Sequence, residues 1–366
     1  EHKCVAAHTQ IKEKNVTYAE RVQRAPIKED PVILGIESSC DETAAAVIRG
    51  RTLLSSVILS SAAEQAKYGG VVPEIASRAH TEAIGEAVER ALREADIAPC
   101  QLDAVAVTYG AGLLGALLVG LSFAKAYAFA LGIPLIGVDH IRGHMAAAYL
   151  TDASLEPPFV TLLASGGHTA VIYTINYTEF EIMGSTRDDA AGEAFDKAAR
   201  VLGLPYPGGP NIEKLAKEGR AVIPFPKMFA GGGYDFSYSG LKTAVINYCH
   251  NKAQSGESYS RADVAASFQN AACSVLAERA VAAAKAKGAD TIAAGGGVIA
   301  NGFLRDLLAE KCAGAGLRLV LPEKKYCTDN AAMIAAEGLI QYRAGHFADL
   351  SLNACAHIPL GKKGKQ

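Results

Sequence analysis

PVILGIESSCDETAAAVI, residues 31–48, is the stretch of sequence that decides the fold. Two apolar runs, at 31–36 and 44–48, flank a polar turn that contains Asp41 and Glu42. Short apolar runs on either side of a polar turn are typical of a β-hairpin, so we predict two antiparallel strands. The two acids in the turn could bind a metal ion or orient a reacting group, or they could simply close the turn.

A similar pattern recurs in FVTLLASGGHTAVIY, residues 159–173, where a glycine-rich turn joins two apolar runs. Two such hairpins far apart in the chain indicate a duplicated architecture, with one loop of each half facing a common cleft. Strand patterns alternate with helix patterns, for example at 73–95 and 261–287. This alternation predicts an α/β fold with helices on both faces of each sheet.

The composition limits the class of protein. The chain has 366 residues, half of them hydrophobic, which predicts two domains with a substantial core. Charged residues make up 20%, which excludes a mainly disordered protein. A formal net charge of -2 excludes a generally basic nucleic-acid coat but leaves room for a local basic patch. The cysteines form no CxxC pair, so we expect no zinc ribbon and favour a cytoplasmic protein.

The longest apolar stretch bears on membrane association. It covers residues 109–138 and is interrupted by Lys125 and Pro134. A membrane-spanning helix needs about 20 unbroken apolar residues. We therefore predict a buried helix followed by a buried strand, and no membrane.

The segment DHIRGH, residues 139–144, is the sharpest chemical signal. If a helix starts here, His140 and His144 lie one turn apart on one face, a spacing that can chelate a metal ion. No glutamate stands beside them as it does in HExxH metalloproteases. Histidines at this spacing are also common as structural residues, so a metal site needs a third donor. Asp329 in the segment YCTDN is a candidate, although an acid there is also a normal helix N-cap.

Glycine-rich turns can bring backbone N–H groups close to a phosphate. They occur at 165–169, 207–210 and 295–297, the last followed by Asn301 ahead of a predicted helix. None matches GxxxxGKS or GxGxxG, which disfavours P-loop and Rossmann sites. Each could equally be a plain turn. Asp196 lies well inside a predicted helix, where a role at the helix N-terminus does not explain it.

Nine blocks, in this order, resemble the TsaD family, the bacterial tRNA threonylcarbamoyltransferase subunits formerly called glycoproteases. The blocks are ILGIESSCDETAAAVI, GGVVPEIASRAH, GLLGALLVGLSFAKA, PLIGVDHIRGH, LLASGGHT, DDAAGEAFDKAARVLGLPYPGGP, FSYSGLKTAV, AAGGGVIAN and YCTDNAAMIAAEG. They extend from about Pro31 to about Leu360. The resemblance therefore covers nearly the whole chain.

The resemblance implies a fold and a division of the chain. The family has two ribonuclease-H-like halves around a central cleft, as in actin, sugar kinases and heat-shock chaperone ATPases. We expect a first half at 31–156, which ends after the metal histidines, and a second half at 157–360, which holds the donor loops. A flexible extension at 1–30 and a flexible tail at 361–366 complete the chain.

The resemblance also implies a reaction. The family transfers a threonylcarbamoyl group from threonylcarbamoyl-adenylate to N6 of the adenosine just 3′ of the anticodon, position 37, and AMP is released. The acceptors are tRNAs that read codons beginning with adenine. Expected partners are therefore tRNA, the adenylate donor, a TsaB-like paralogous subunit and a TsaE-like ATPase.

Site residues follow from the resemblance by position. It implies metal ligands at His140, His144 and Asp329, holding one divalent ion per subunit. Iron is the first choice for such a ligand set, with zinc and magnesium as alternatives. The acids Asp41 and Glu42 are the candidate catalytic residues. The positions implied to bind the donor are Leu163, Ala164, Ser165, Gly166, Gly167, Asp196, Gly209 and Asn301.

Three other functions are compatible with parts of the pattern. A kinase would share the fold, because this fold hosts many activities, but sugar kinases lack the histidine pair. A metalloprotease would need a general base beside the metal. A non-catalytic scaffold subunit would not need every metal and donor position to be filled.

Asp139 departs from the family pattern, because asparagine often precedes the first metal histidine in the family.

Overall fold

The structure is a computed structural model that describes residues 17–68, 70–226 and 233–359. Most of the expected extension at 1–30, and all of the expected tail at 361–366, therefore lie outside the described residues. Within the described ranges the strands are β1 (Val32–Glu37), β2 (Glu42–Arg49), β3 (Thr52–Ser60), β4 (Ala104–Gly110), β5 (Leu135–Asp139), β6 (Phe159–Ala164), β7 (Thr169–Thr174), β8 (Phe180–Ser185), β9 (Thr291–Gly295) and β10 (Arg318–Val320).

Helices separate these strands. They are α1 (Tyr18–Gln23), α2 (Ala62–Gln65), α3 (Pro73–Glu94), α4 (Leu114–Leu131), α5 (His140–Thr151), α6 (Ala191–Val201), α7 (Gly208–Ala216), α8 (Ser239–Gln254), α9 (Arg261–Lys287), α10 (Gly302–Ala315) and α11 (Ala331–Arg343). The chain divides into two compact units. Unit 1 takes the described residues up to Ala153 and again from Asp329, and unit 2 is Ser154–Thr328.

Each unit contains one five-stranded sheet, and the two sheets have the same topology. The strand order is β3-β2-β1-β4-β5 in unit 1 and β10-β9-β6-β7-β8 in unit 2. In both, a central strand pairs antiparallel with the second strand of its hairpin and parallel with a strand that follows helices. The predicted α/β fold with duplicated halves is therefore confirmed.

The core of unit 1 follows the alternation of side chains along β1. Leu34 and Ile36 pack into one apolar cluster, on the face covered by α3 and α4. Ile33 packs into another, which contains Met333 and Ile334 of α11. Because successive strand residues point to opposite faces, β1 is buried on both sides.

The last part of the chain returns to unit 1, whereas the sequence-based division assigned it to the second half. The reason is the close packing of α11 on β1. A Cβ atom on Gly35 would lie 2.4 Å from the carbonyl oxygen of Ala331, so only glycine allows this approach. Asp329 therefore belongs to the same unit as the two histidines.

The described end of the N-terminal extension is folded rather than loose. Helix α1 has a capping box at its start, and the Tyr18 hydroxyl donates a hydrogen bond to the carbonyl of Ile133 at 2.8 Å. The Lys28 ammonium lies 2.6 Å from the carboxylate of Asp103. A long-range hydrogen bond and one ion pair thus hold this segment on unit 1, which a polar sequence without a clear period did not indicate.

Helix α4 is long and apolar enough to cross a membrane by length and composition alone. Core helices of folded proteins pass the same test. About a third of its apolar window is buried inside the structure. The absence of a membrane stays a prediction.

Candidate metal centre and donor loops

The candidate metal centre forms where the parallel strands of unit 1 end. β1, β4 and β5 run parallel, so their carboxyl ends lie at one edge of the sheet. Ligand sites of open α/β sheets form at such edges. Glu37 is the last residue of β1. His140 directly follows β5 and begins α5.

His140, His144 and Asp329 come together as the sequence predicted. One ligand atom from each lies within 4.8 Å of the others. The Asp329 carboxylate is 3.4 Å from Nε2 of His140 and 3.2 Å from Nε2 of His144. The two imidazole rings meet edge to face with centroids 4.7 Å apart. Helical spacing produces this arrangement, because residues four apart lie on one face.

The three residues fit a metal ion. The His144 side chain is 1% exposed, and neither of its ring nitrogens forms a hydrogen bond of good geometry, although Nε2 lies 3.2 Å from the Asp329 carboxylate. A buried polar atom without a partner costs about 1–3 kcal/mol, and a metal bond would satisfy one of these nitrogens. Two imidazoles and a carboxylate are also a common donor set for catalytic metals, one that leaves coordination positions open.

Glu37 is a further site residue, which the sequence reasoning missed. Its side chain is fully buried, and its Oε2 lies 3.1 Å from Nδ1 of His140. The same carboxylate accepts hydrogen bonds from the Thr108 hydroxyl at 2.6 Å and from the Ser39 backbone N–H at 2.5 Å. A carboxylate on one ring nitrogen leaves the other nitrogen free for a metal ion.

The electrostatics of the cluster favour a positive charge. Burial alone would lower the pKa of His140, but the carboxylates of Asp329 and Glu37 outweigh it and raise this pKa well above its ordinary value. Burial would raise the pKa of the Glu37 and Asp329 carboxyls, but the neighbouring His140 outweighs it and lowers the pKa of both. The site therefore holds two negative carboxylates around the ring that faces them both.

The neighbouring residues explain why Asp329 is available. Asn330, and not Asp329, caps α11, because its side chain accepts a hydrogen bond from the Met333 N–H at 3.0 Å. The Asp329 carboxylate is thus free to face the histidines. Asp139 caps α5 in the same way, through the Ile141 N–H at 2.8 Å. The Asp139 carboxylate therefore caps the N-terminus of α5.

The acids Asp41 and Glu42 lie at the turn of the first hairpin, as predicted. Burial, followed by a hydrogen bond and charge repulsion from Asp41, raises the pKa of Glu42 to about 9. The charges of Asp329 and Glu37 contribute to this rise. The acidic turn thus lies within electrostatic range of the metal cluster.

The predicted donor-loop residues of unit 2 offer a ligand mostly their backbone atoms. The side chains of Leu163 and Ala164 are fully buried, so only their backbone atoms can face a ligand. The loop closes through the Ser165 N–H, which donates to the His168 carbonyl at 2.8 Å. A Cβ atom on Gly166 or Gly167 would meet nothing within 4 Å, which leaves open space above both residues.

Asp196, Gly209 and Asn301 are the remaining positions that the sequence predicted to bind the donor. The Asp196 carboxylate accepts the backbone N–H of Gly208 at 2.6 Å and so fixes the start of α7, where a Cβ atom on Gly209 would meet open space. The Asn301 amide oxygen caps α10 through Leu304, and its NH2 group donates to Gln269. Much of the hydrogen-bonding capacity of Asp196 and Asn301 is therefore used to shape the loops.

Several known proteins are similar to this chain in sequence. A family model described as TsaD, tRNA N6-adenosine threonylcarbamoyltransferase, matches residues 52–336. The tRNA N6-adenosine threonylcarbamoyltransferase of Clostridium botulinum (strain 657 / Type Ba4) is 51% identical over 340 residues, which cover 92% of this chain and 100% of the relative. The enzyme of the same name from Clostridium perfringens (strain SM101 / Type A) is 51% identical over 335 residues, covering 91% of this chain and 99% of the relative.

A solved structure supports the fold independently. HypF of T.kodakarensis superposes with a TM-score of 0.60 at 16% identity. The match covers 88% of this chain and 49% of the HypF chain, so this chain spans about half of that protein. At such low identity the likeness concerns the fold alone.

Proposed function

Because the chain belongs to the TsaD family of tRNA N6-adenosine threonylcarbamoyltransferases, we propose that threonylcarbamoyl-adenylate is its donor and adenosine 37 of tRNA its acceptor. The acceptors would be tRNAs that read codons beginning with adenine. The observation that carries the proposal is the His140, His144 and Asp329 cluster, found in a chain half identical to these transferases.

The chemistry explains what the protein must supply. The donor is a mixed carbamoyl–phosphate anhydride, so AMP is a good leaving group. The exocyclic amine of adenine is a poor nucleophile, because its lone pair is delocalised into the ring. The enzyme must therefore hold the carbonyl carbon close to N6 and stabilise the negative charge that develops during attack.

We assign His140, His144 and Asp329 as ligands of one divalent metal ion, with iron as first choice and zinc or magnesium as alternatives. Held by these residues, the ion would supply Lewis-acid stabilisation and a template for the reactants. Glu37 would accept a hydrogen bond from Nδ1–H of His140 and so direct Nε2 toward the ion. Its fully buried carboxylate would hold the imidazole ring in one orientation.

The donor is assigned to the loops of unit 2. Exposed Gly166 and Gly167, together with Gly209, would let the adenylate approach the backbone closely. Leu163, Ala164 and Ser165 would contribute through main-chain atoms. Asp196 and Asn301 would hold two neighbouring helix starts in place, and each could also contact the donor directly. No side chain of this loop set needs to act as a nucleophile.

Asp41 and Glu42 are assigned as the catalytic acids. Burial and the neighbouring Asp41 raise the pKa of Glu42 to about 9, which favours the protonated acid that could donate a hydrogen bond to a developing negative charge. Its neighbour Asp41 shares a hydrogen bond with it. The pair would thus help AMP to leave, or would stabilise the negative charge that develops during attack, without forming a covalent intermediate.

A paralogous TsaB-like subunit and a TsaE-like ATPase are the proposed protein partners, in the cytoplasm where tRNA is modified. Helix α4 offers a surface for the first of these. Leu114, Leu118 and Phe129 are 49%, 41% and 58% exposed. At about 100° per residue they lie within about 60° of one another on one face of the helix. We take this helix face, with its exposed apolar side chains, as the contact for the TsaB-like subunit.

The test is incorporation of labelled threonine into a transcript of a tRNA that reads codons beginning with adenine. The mixture contains this chain, a donor-synthesising enzyme, bicarbonate, ATP and bacterial partner subunits. Incorporation should require the wild-type chain and be lost in His140→Ala/His144→Ala. The matched control His250→Ala removes an exposed histidine of α8 and should remain active. Incorporation that persists without both metal histidines would refute the metal assignment.

A further inference from the structure

An ion pair joins the two helices that carry the metal residues. Arg142 lies in α5 between the two histidines, and Glu337 lies in α11. Nε of Arg142 is 3.0 Å from Oε1 of Glu337. The Glu337 side chain is only 4% exposed, and that of Arg142 is 20% exposed. The pair is therefore largely removed from solvent.

The carboxylate of this pair is itself held in place. Gln341, one turn further along α11, donates from Nε2 to the same Oε1 at 2.6 Å. The amide oxygen of Gln341 in turn lies 2.8 Å from Nδ1 of His346. Glu337 is thus a fixed acceptor on α11, toward which the guanidinium of α5 is directed.

Apolar packing alone gives α5 and α11 a close contact without strong direction. Gly143 allows the approach, because a Cβ atom there would lie 2.8 Å from Cδ1 of Ile334 and 3.4 Å from the side chain of Met333. Such a contact is compatible with small rotations or shifts of one helix along the other. A planar guanidinium bound to a fixed carboxylate is strongly directional.

We propose that the Arg142–Glu337 pair positions the metal ligands by fixing α5 against α11. His140 and His144 belong to α5, and Asp329 lies just before the first turn of α11, so the register of the two helices sets the ligand distances. The inference rests on the proposed metal site. Both residues are positioning residues, because neither is among the ligands.

The energetics of buried ion pairs support a positioning role. Removing two charges from water cancels most of their attraction, so a buried pair often adds little net stability compared with apolar residues of similar size. Loss of one partner is costly, because it leaves an unpaired buried charge. Orientation of α5 is therefore the property that the pair supplies and that packing does not.

The experiment measures Co²⁺ binding to the full chain. Affinity comes from competition with a chromophoric chelator, geometry from the visible Co²⁺ spectrum, and stability from thermal unfolding. The variants are Arg142→Met, Arg142→Lys and Arg142→Met/Glu337→Met. Lys28→Met is the matched control, because it breaks another ion pair of unit 1, with Asp103, that lies outside α5 and α11.

Arg142→Met should weaken Co²⁺ binding about tenfold and alter the spectrum, as outer-shell changes do at other metal sites. The double variant should recover thermal stability but keep the weakened affinity, and it carries the test if the single variant does not fold. Arg142→Lys keeps the charge but lacks the planar guanidinium, so it should recover only part of the affinity. Lys28→Met should lower stability and leave the affinity unchanged.

Unchanged affinity and spectrum in Arg142→Met and in the double variant would overturn the inference while leaving the metal site intact. The metal site itself has a separate test. If His140→Ala/His144→Ala still binds Co²⁺ as the wild type does, the ion does not bind at these ligands, and the proposed positioning role is refuted together with the site.

Discussion

Replacement of Glu37 by glutamine tests the role that we assign to this fully buried carboxylate in the metal centre. The carboxylate accepts three hydrogen bonds, from His140 Nδ1, the Thr108 hydroxyl and the Ser39 N–H. An amide has one oxygen and one NH2 group, so it cannot accept all three. If the amide oxygen stays beside His140, the NH2 group faces the Ser39 N–H.

The flipped amide has a different consequence. Its NH2 group then faces Nδ1 of His140, which must become an acceptor, so the ring proton moves to Nε2. A protonated Nε2 cannot bind a metal ion. The Ser39 hydroxyl lies 3.2 Å from the same Nδ1, so it can partly replace the carboxylate as the hydrogen-bond acceptor of this nitrogen. We therefore expect metal affinity to fall about 10–100-fold, which corresponds to about 1.4–2.8 kcal/mol.

The assay is the affinity of the purified chain for Co²⁺, by chelator competition at neutral pH, with circular dichroism to verify folding. Thr108→Val is the matched control. It removes a hydrogen bond of 2.6 Å to the same carboxylate but leaves the acceptor of His140 in place. This control should lower stability and change the affinity much less. Equal affinities for Glu37→Gln and the wild type would refute the argument that Glu37 sets the His140 tautomer.

Four further changes have definite expected outcomes. Gly296→Ala puts a Cβ atom 2.4 Å from the Ala164 carbonyl oxygen at φ 98°, so thermal denaturation should show a loss on the order of 1–3 kcal/mol. Asp188 accepts the Tyr238 N–H and the Ser239 hydroxyl at the start of α8, and although burial opposes it, these bonds lower its pKa. Asp188→Ala should cost about 1–3 kcal/mol at pH 7, because it removes hydrogen bonds to a charged acceptor. A lowered carboxyl pKa stabilises the fold above the unfolded value near 4, so the difference between variant and wild type should fade as pH falls below about 4; a constant difference would contradict the assignment. His144→Leu removes a buried imidazole whose Nδ1 has no partner but also removes the contact of Nε2 with the Asp329 carboxylate, so without metal its thermal midpoint should stay close to that of the wild type, while Co²⁺ binding disappears. Leu118→Glu should abolish co-purification with a TsaB-like subunit and leave the fold intact, because this side chain is 41% exposed; persistent association would place the contact elsewhere.

The fold was predictable to the extent that local patterns determine it. Hairpin and helix periodicities indicated the duplicated α/β halves, and both sheets confirm them. The outer strands β3 and β8 were not predicted, because edge strands are partly exposed and lack a clean apolar run. The return of α11 to unit 1 depends on the contact between Gly35 and Ala331, which no window of sequence contains.

The sequence predicted best those site residues that lie close together in the chain. The spacing of His140 and His144 was visible, but the choice of Asp329 relied on the family resemblance. Family membership also decides against the kinase, metalloprotease and scaffold alternatives. Glu37 could have been noticed as an acid at the end of the buried run VILGIE. Arg142 and Glu337 could not be paired, because 195 residues separate them.

The discontinuity of unit 1 has a consequence for biosynthesis. The two histidines are made early, but their carboxylate partner follows the whole of unit 2 in the chain. A ribosome therefore cannot expose a complete set of ligands until nearly all of the protein has been synthesised. A nascent or prematurely terminated chain that stops within unit 2 contains both histidines and lacks Asp329 and the helix that packs on Gly35. The proposed metal centre is thus complete only in nearly finished molecules.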